Sequence, residues 1–484
     1  MPDRSIPDRG RPGGRGGLTV LLTAAPTPNG PLHVGHLSGP YLAADVAARA
    51  ARQRGEPTFV LGGLDVHQNY VLTRAQNDGV SADHVIDTYR ERILDTYRRA
   101  RIGLDTFVDP VRDGDFGRTI AGFVAAMVRR GTLRMRETTL HRCGDCGRTL
   151  HHSYVSGLCS WCGTPAGGGS CEGCGGYTCA QTLRDPACAR CGGDPVPFAA
   201  TVPVLAMEDF RDLLVRTWAE ADLPARVRGV IARYLRTGLP EVPVAYPTDW
   251  GIPGTGPVAG LRLDVYAELG LSCLYGVGRA IDPAARSLPD FVAAWREVAG
   301  WWHFHGIDNT FWFGLFNPAL LAAAGMPEPP LHGLVVNEFL LLEGKKFSTS
   351  RDHAIWADDL LATEDPSLVR LYLCWIRPDR TETDFTPEAY AAFRDWAAPL
   401  LSGAASGGAG SPQRWLPPAL ASAELDRAEA ALRPAGFDPA LAARVALAVL
   451  AAPSTSDADR DRAHRLVTVL SGAVRRRHAI GQAA

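Results

Sequence analysis

The chain has 484 residues, enough for two or three domains with sizeable cores, and its 46% hydrophobic and 21% charged content is ordinary for a globular protein in water. A formal net charge of -2 gives no general basic field for nucleic acid, so an RNA partner needs a local patch, for which Arg475-Arg476-Arg477-His478 is the compact candidate. No apolar run approaches the roughly 18 residues of a membrane span, and residues 1–17, rich in Arg, Gly and Pro, carry no apolar signal core; the expectation is a disordered leader on a cytoplasmic protein with no membrane partner.

The first element is L-T-V-L-L-T (Leu18 to Thr23), a short apolar run that reads as a buried parallel strand. A Pro/Gly-rich turn follows, A-A-P-T-P-N-G-P-L-H-V-G-H, and then a helical pattern from Leu37 to Gly55. A strand entering a helix through such a turn opens a doubly wound nucleotide fold, and the helix start offers unpaired N–H groups and a positive dipole end to phosphate. His33 and His36 are three apart, so on a first helical turn they share a face and can donate to the same phosphate oxygens, while Gly35 lets a base approach the backbone. The next strand, Pro57 to Asp65, puts Asp65 at a carboxyl edge, where ligands bind in open α/β sheets; a carboxylate there can pair with an ammonium. A helix from Ser81 to Gly103 follows with a packing stripe.

Nine of the eleven cysteines fall between Cys143 and Cys191, and eight form C-x-x-C pairs: Cys143/Cys146, Cys159/Cys162, Cys171/Cys174 and Cys188/Cys191. Gly follows every pair, as in knuckles whose backbone N–H groups turn toward thiolate sulfur. The first and second pairs are separated by 12 residues and the third and fourth by 13, spacings suited to four-thiolate zinc, although interleaved pairing satisfies the same count. Two structural Zn2+ ions follow from either arrangement, with no open coordination position for chemistry. Cys179 is left over as a bystander.

Beyond the cysteines, an apolar aromatic strand ends at Gly306-Ile307-Asp308, which places Asp308 for ribose hydroxyls. Two short strands then lead into Glu343-Gly344-Lys345-Lys346-Phe347-Ser348-Thr349-Ser350-Arg351, a polar, doubly basic loop able to place Lys346 on phosphates. A helix starts at Asp365 as N-cap with Pro366 in its first turn. A Gly/Ala/Ser linker, Ser402 to Pro412, precedes Ala-rich helix.

P-N-G-P-L-H-V-G-H resembles the HIGH motif of class I aminoacyl-tRNA synthetases, its flanks are most similar to methionyl-tRNA synthetases of the archaeal-type branch, and the later K-K-F-S-T-S resembles the KMSKS loop. The resemblance implies an α/β fold, a Rossmann-like doubly wound parallel sheet split by a zinc-knuckle connective insertion, with a short C-terminal α-helical segment. The implied divisions are 18–118 and 246–388 for the two halves of the catalytic domain, 119–245 for the insertion with its knuckles at 139–195, and 389–484 for the linker and a reduced helical region. It implies an adenylate-forming ligase that uses ATP with Mg2+. His33, His36, Lys346 and Thr349 are then catalytic; Pro28, Asn29, Gly30, Gly35, Gly306, Asp308, Lys345 and Ser348 bind ATP; and Asp65 holds the α-ammonium. Thr349 stands where a second lysine is usual, which removes one cation and implies redistributed phosphate contact.

The side-chain pocket does not resemble one for methionine. Carried over residue by residue, it consists of Ala25, Thr27, Tyr266, Leu269, Gly270, Cys273, Asn309 and Phe313, where the family has a leucine, a tyrosine, a tryptophan, an alanine, a proline, a tyrosine, an isoleucine and a histidine. Asn309 is costly to bury unpaired, which implies a substrate with a polar group. The asparagine and tryptophan by which the family reads the anticodon are not found in the last segment. The changed pocket and thin tail imply a paralogue that passes its acyl group to a small-molecule amine, as in synthetase-like enzymes of specialised metabolism that work with a cupin partner. The alternative acceptor is tRNA, with methionine as the amino acid. A zinc-dependent RNA-binding module with a dead catalytic core is excluded as long as the ATP residues are intact.

Overall fold

The structure is a computed structural model. It describes residues 17–219, 221, 223–326, 331–347, 353–402, 418–453 and 455–473. The expected leader, Ser348, Thr349, most of the linker and the Arg475–His478 patch lie outside the described residues. The chain divides into two compact units, one from the described residues of 1–31, 56–93 and 104–337, the other from those of 32–55, 94–103 and 338–484.

The first unit is built on five parallel strands: β1 (Leu18–Thr23), β2 (Thr58–Gly63), β3 (Thr106–Val108), β4 (Val298–Gly306) and β5 (Leu331–Asn337). Their order is β5-β4-β1-β2-β3, with Val20 aligned to Phe59 on one side and Trp301 on the other. Val20, Leu21, Leu22, Val60, Trp301 and Phe304 are buried, the continuous apolar pattern expected of parallel strands covered on both faces. The order reverses direction about β1, and in such sheets the carboxyl ends beside that reversal form the ligand crevice.

Between β3 and β4 the chain leaves the sheet. Helix Phe116–Arg129 leads into a long antiparallel ribbon of Arg134–Cys143 and Pro195–Ala206, with Cys143 opposite Pro195. Beyond the ribbon's end lie small antiparallel pairs, among them Val155–Cys159 with Leu183–Cys188. Helix Val265–Ile281 returns toward the sheet, capped by Asp264 Oδ1, which accepts from the N–H groups of Tyr266 and Ala267 at 2.9 and 3.3 Å.

In the second unit the helix expected from Leu37 to Gly55 is interrupted. A three-residue α turn, Val34–His36, passes into a π-helical stretch, Leu37–Tyr41, before regular helix resumes over Leu42–Gln53. Pro40 has no N–H to donate, and Gly39 at ψ −115° is not helical, so the hydrogen-bond ladder breaks there. The fully buried Arg370, on helix Pro366–Trp375, ties this unit together: its guanidinium donates to Asp45 at 2.6 Å and to the carbonyls of Ala100 and Leu470 at 2.7 and 3.1 Å. Three partners satisfy a charge that would be very costly to bury alone.

Candidate active site

In the first unit the site is organised on Asp65, just past β2. Thr27 Oγ1 donates to its Oδ2 at 2.8 Å, and the Asp65 N–H donates to the Pro26 carbonyl at 3.0 Å. Oδ1 is buried without a partner. Burial pushes this carboxyl up to about 7; Glu268 adds to the rise, while Thr27, His67 and His152 oppose it. A cation beside it would offset the cost of burying its charge. Beside it, His67 Nδ1 is 2.8 Å from both oxygens of Glu268. Burial works against charge on His67, but the Glu268 carboxylate outweighs it and raises the imidazole above its usual range.

A small cavity opens at the carboxyl ends of β1 and β2. Ala25, Leu269, Cys273 and Phe313 line it, as the pocket reading expects, together with Thr23, Ser272 and His303, which that reading missed. Thr27, Tyr266, Gly270 and Asn309 lie outside the lining. Thr27 is engaged with Asp65; Tyr266 lies flat on Trp312 at 3.7 Å; Asn309 closes the short turn Ile307–Asn309 after β4. His303 stacks on Phe313 at 3.6 Å, with Nδ1 3.3 Å from Nδ1 of His305. Burial drives His303 well below the usual imidazole range and His305 to about 3, so both are neutral at pH 7. The available signal was H-F-H on a strand, because residues two apart share a face. At the strand end a Cβ on Gly306 would stand 2.6 Å from Asp308 Oδ1, so a larger residue there would displace that carboxylate.

In the second unit His33 caps the α turn that follows it. Its Nδ1 accepts from the His36 N–H at 3.2 Å, which fixes the tautomer and leaves Nε2–H as a donor. The two imidazoles stack at 3.7 Å, and His33 also stacks on Phe347 at 4.6 Å. Burial, with His36 and Lys346 nearby, holds His33 well below its usual range. A Cβ on Gly35 would meet the His33 ring at 3.0 Å and Phe347 at 3.4 Å, so the glycine makes room for the ring stack. Leu340–Leu342 and Lys345–Lys346 form a hairpin whose two turn residues, Glu343 at φ 51° and Gly344 at φ 74°, give the tight left-handed turn such hairpins prefer. Lys346 Nζ rests 3.8 Å over the Phe339 ring.

The eight knuckle cysteines form two clusters, with their sulfurs within 4.8 Å of one another. Pairing is nested: Cys143 and Cys146 join Cys188 and Cys191, and Cys159 and Cys162 join Cys171 and Cys174. The first pair does not share a cluster with the second, nor the third with the fourth, contrary to what the 12- and 13-residue spacings suggest. The antiparallel ribbon decides this, because it returns the chain beside Cys143 only after the inner knuckles have closed. Closest sulfurs stand 3.4 to 3.9 Å apart, near the roughly 3.8 Å edge of a tetrahedron with 2.3 Å zinc–sulfur bonds. The donor sets therefore suit two zinc ions.

The profile of tRNA synthetases class I (M) matches residues 19–394. A methionine–tRNA ligase of Methanopyrus kandleri is 30% identical over 388 residues, covering 78% of this chain and 56% of that protein. One from Thermomicrobium roseum is 30% identical over 375 residues, covering 76% and 64%. The chain thus spans between half and two thirds of these relatives' length. Mycobacterium tuberculosis methionyl-tRNA synthetase, solved with methionyl-adenylate, has a similar fold at TM-score 0.65 and 18% identity, over 94% of this chain and 89% of that one. Among the described residues no helix is long and apolar enough to cross a membrane.

Proposed function

Since the chain belongs to the class I tRNA synthetases of the (M) type, we propose that it activates an amino acid with ATP, forming an aminoacyl-adenylate and pyrophosphate. The observation that carries this reading is Asp65, a buried carboxylate with one oxygen unpartnered at the sheet's ligand edge. It takes the α-ammonium. The substrate carboxylate attacks the α-phosphorus, the new C–O–P linkage forms, and the bond to the bridging oxygen of the leaving pyrophosphate breaks. Asp308 holds the ribose hydroxyls, with Pro28, Asn29, Gly30 and Gly35 around the nucleotide. His33 Nε2–H and His36 donate to phosphate oxygens as neutral groups, and Lys345, Lys346, Ser348 and Thr349 complete the phosphate contacts. Mg2+ accompanies ATP as a counter-charge. Catalysis of this kind is positioning and electrostatics; no side chain becomes covalently attached.

Methionine and tRNA are the first reading of substrate and acceptor, on the strength of the relatives' names. One observation favours a second: Thr23, Ser272 and His303 bring polar groups to a cavity otherwise walled by Ala25, Leu269 and Phe313. That lining suits a side chain other than methionine's. ATP–pyrophosphate exchange across the twenty proteinogenic amino acids, followed by acyl transfer with and without tRNA, tests both. Exchange with methionine followed by tRNA charging establishes the first reading, and exchange confined to a more polar amino acid the second. No exchange with any of them, together with no ATP binding, ends the proposal.

A further inference from the structure

The knuckle insertion delivers one side chain into the amino-acid half that the proposed reaction does not yet use. His152 lies between the outer and inner cysteine pairs, and its side chain is 7% exposed. Its backbone is held at φ 48°, a left-handed conformation that a histidine adopts only when its surroundings enforce it. The enforcement is visible on both flanks. The His152 carbonyl accepts from the Gly168 N–H at 3.0 Å. Asn69, itself buried, donates to the His151 carbonyl at 2.9 Å and accepts from the Ser153 N–H at 3.0 Å.

The ring is fixed at one nitrogen only. His152 Nε2 is 2.5 Å from Asp264 Oδ2, and the other oxygen of Asp264 is occupied by the start of helix Val265–Ile281. A carboxylate has no proton to give, so Nε2 carries the hydrogen, and in the neutral ring Nδ1 is a bare acceptor. That Nδ1 is buried and has no partner. It borders the space left by Gly169, whose added Cβ would stand 3.5 Å from Nδ1 and 3.1 Å from the Tyr266 hydroxyl. Asp65 lies within electrostatic range of His152, and its own Oδ1 is likewise a buried acceptor without a partner.

We propose that His152 is a substrate-binding residue: its Nδ1 accepts a second N–H of the substrate's α-ammonium, whose first N–H goes to Asp65 Oδ1. The ammonium is the one donor every amino acid carries, so this assignment does not depend on the side chain. It does rest on the amino-acid-activating reading above.

Two substitutions separate this role from a structural one. His152→Gln reaches Asp264 with an amide N–H in place of Nε2–H and has nothing at the Nδ1 position. His152→Asn tolerates the left-handed backbone and puts an oxygen near Nδ1, but falls short of Asp264. In ATP–pyrophosphate exchange with whichever of the twenty amino acids supports it, Gln is expected to raise the amino-acid KM about ten- to a hundredfold, the loss of one hydrogen bond to a charged group, with the ATP KM and melting temperature unchanged. Asn is expected to lower the melting temperature and hold that KM within about threefold. The reverse pattern overturns the proposal and makes His152 a support for Asp264 alone. The 15N spectrum of the histidine-labelled full chain reads the tautomer without any substrate: a bare Nδ1 supports the assignment, and a protonated Nδ1 overturns it. If the wild-type chain exchanges with none of the amino acids, the functional reading fails on its own and the spectrum still decides the tautomer.

Discussion

Burial moves Asp65 of the first unit and His33 of the second in opposite directions. In the first, burial raises Asp65 to about 7, which disfavours its charged form, and one of its oxygens is unpartnered. In the second, burial lowers His33, so the imidazole presents an N–H dipole without charge, and the positive charge is carried by Lys345 and Lys346 on a hairpin. The same desolvation disfavours charge at both, raising the carboxyl and lowering the imidazole. The first half should therefore govern affinity for the amino acid, and the second the chemical step on phosphate.

The sharpest way to break this division is Asp65→Asn. Removing the partner of a buried ammonium should lower kcat/KM for the amino acid about a thousandfold, with ATP affinity unchanged, and the uncharged amide should raise the melting temperature at pH 8. Equal loss of ATP affinity would show that the halves are not separable. Lys346→Ala should do the converse, lowering kcat about a hundredfold with little change in the amino-acid KM. His33 has two jobs, cap and donor, which Asn divides. His33→Ala should lower exchange about tenfold or more and cost about 1 kcal/mol from the lost cap, whereas His33→Asn restores the cap but not the exchange.

Changing pH sharpens the contrast further. The folded value for Asp65, about 7, lies above the 3.8 of an ordinary aspartate, so folding favours its protonated form. Its unfavourable effect on stability is absent below pH 4 and grows as pH rises toward 7. Ammonium binding runs the other way: the amino-acid KM should rise about tenfold per unit below pH 7, and the gain in melting temperature on adding amino acid should be larger at pH 8 than at pH 6. The ATP KM should stay flat if the histidine half is already neutral. The smallest effect expected on that half comes from the metal sites. By elemental analysis Cys143→Ser with Cys191→Ser should lose one zinc of two, and Cys143→Ser with Cys159→Ser both; neither pair should shift the ATP KM. Sequential pairing predicts the opposite stoichiometries.

Much of the first unit was legible because its signals are local. Leu18–Thr23 and the strand ending at Gly306 form as expected, and Asp65, Ala25, Leu269, Cys273 and Phe313 come to one edge or one cavity. Asn309 illustrates the limit. Its identity suggested a polar pocket, yet the polar lining found belongs to Thr23, Ser272 and His303, while Asn309 sits in the short turn after β4; which face of a turn looks inward is set by tertiary packing. The helix after His36 was legible in extent but not in form, since the break at Gly39 and Pro40 depends on how the hydrogen-bond ladder reroutes around a missing N–H.

By itself, the sequence determined the strands that carry the crevice, the eight thiolates and the short-range motifs, because hydrophobic period and spacing over a few residues act within one element. Only the tertiary structure decided that the cysteines nest, that His33 Nδ1 accepts from the His36 N–H, and that a histidine from the knuckle insertion reaches Asp264 from more than a hundred residues away. Those outcomes follow from antiparallel pairing and from the satisfaction of buried polar atoms, which depend on which distant segments meet.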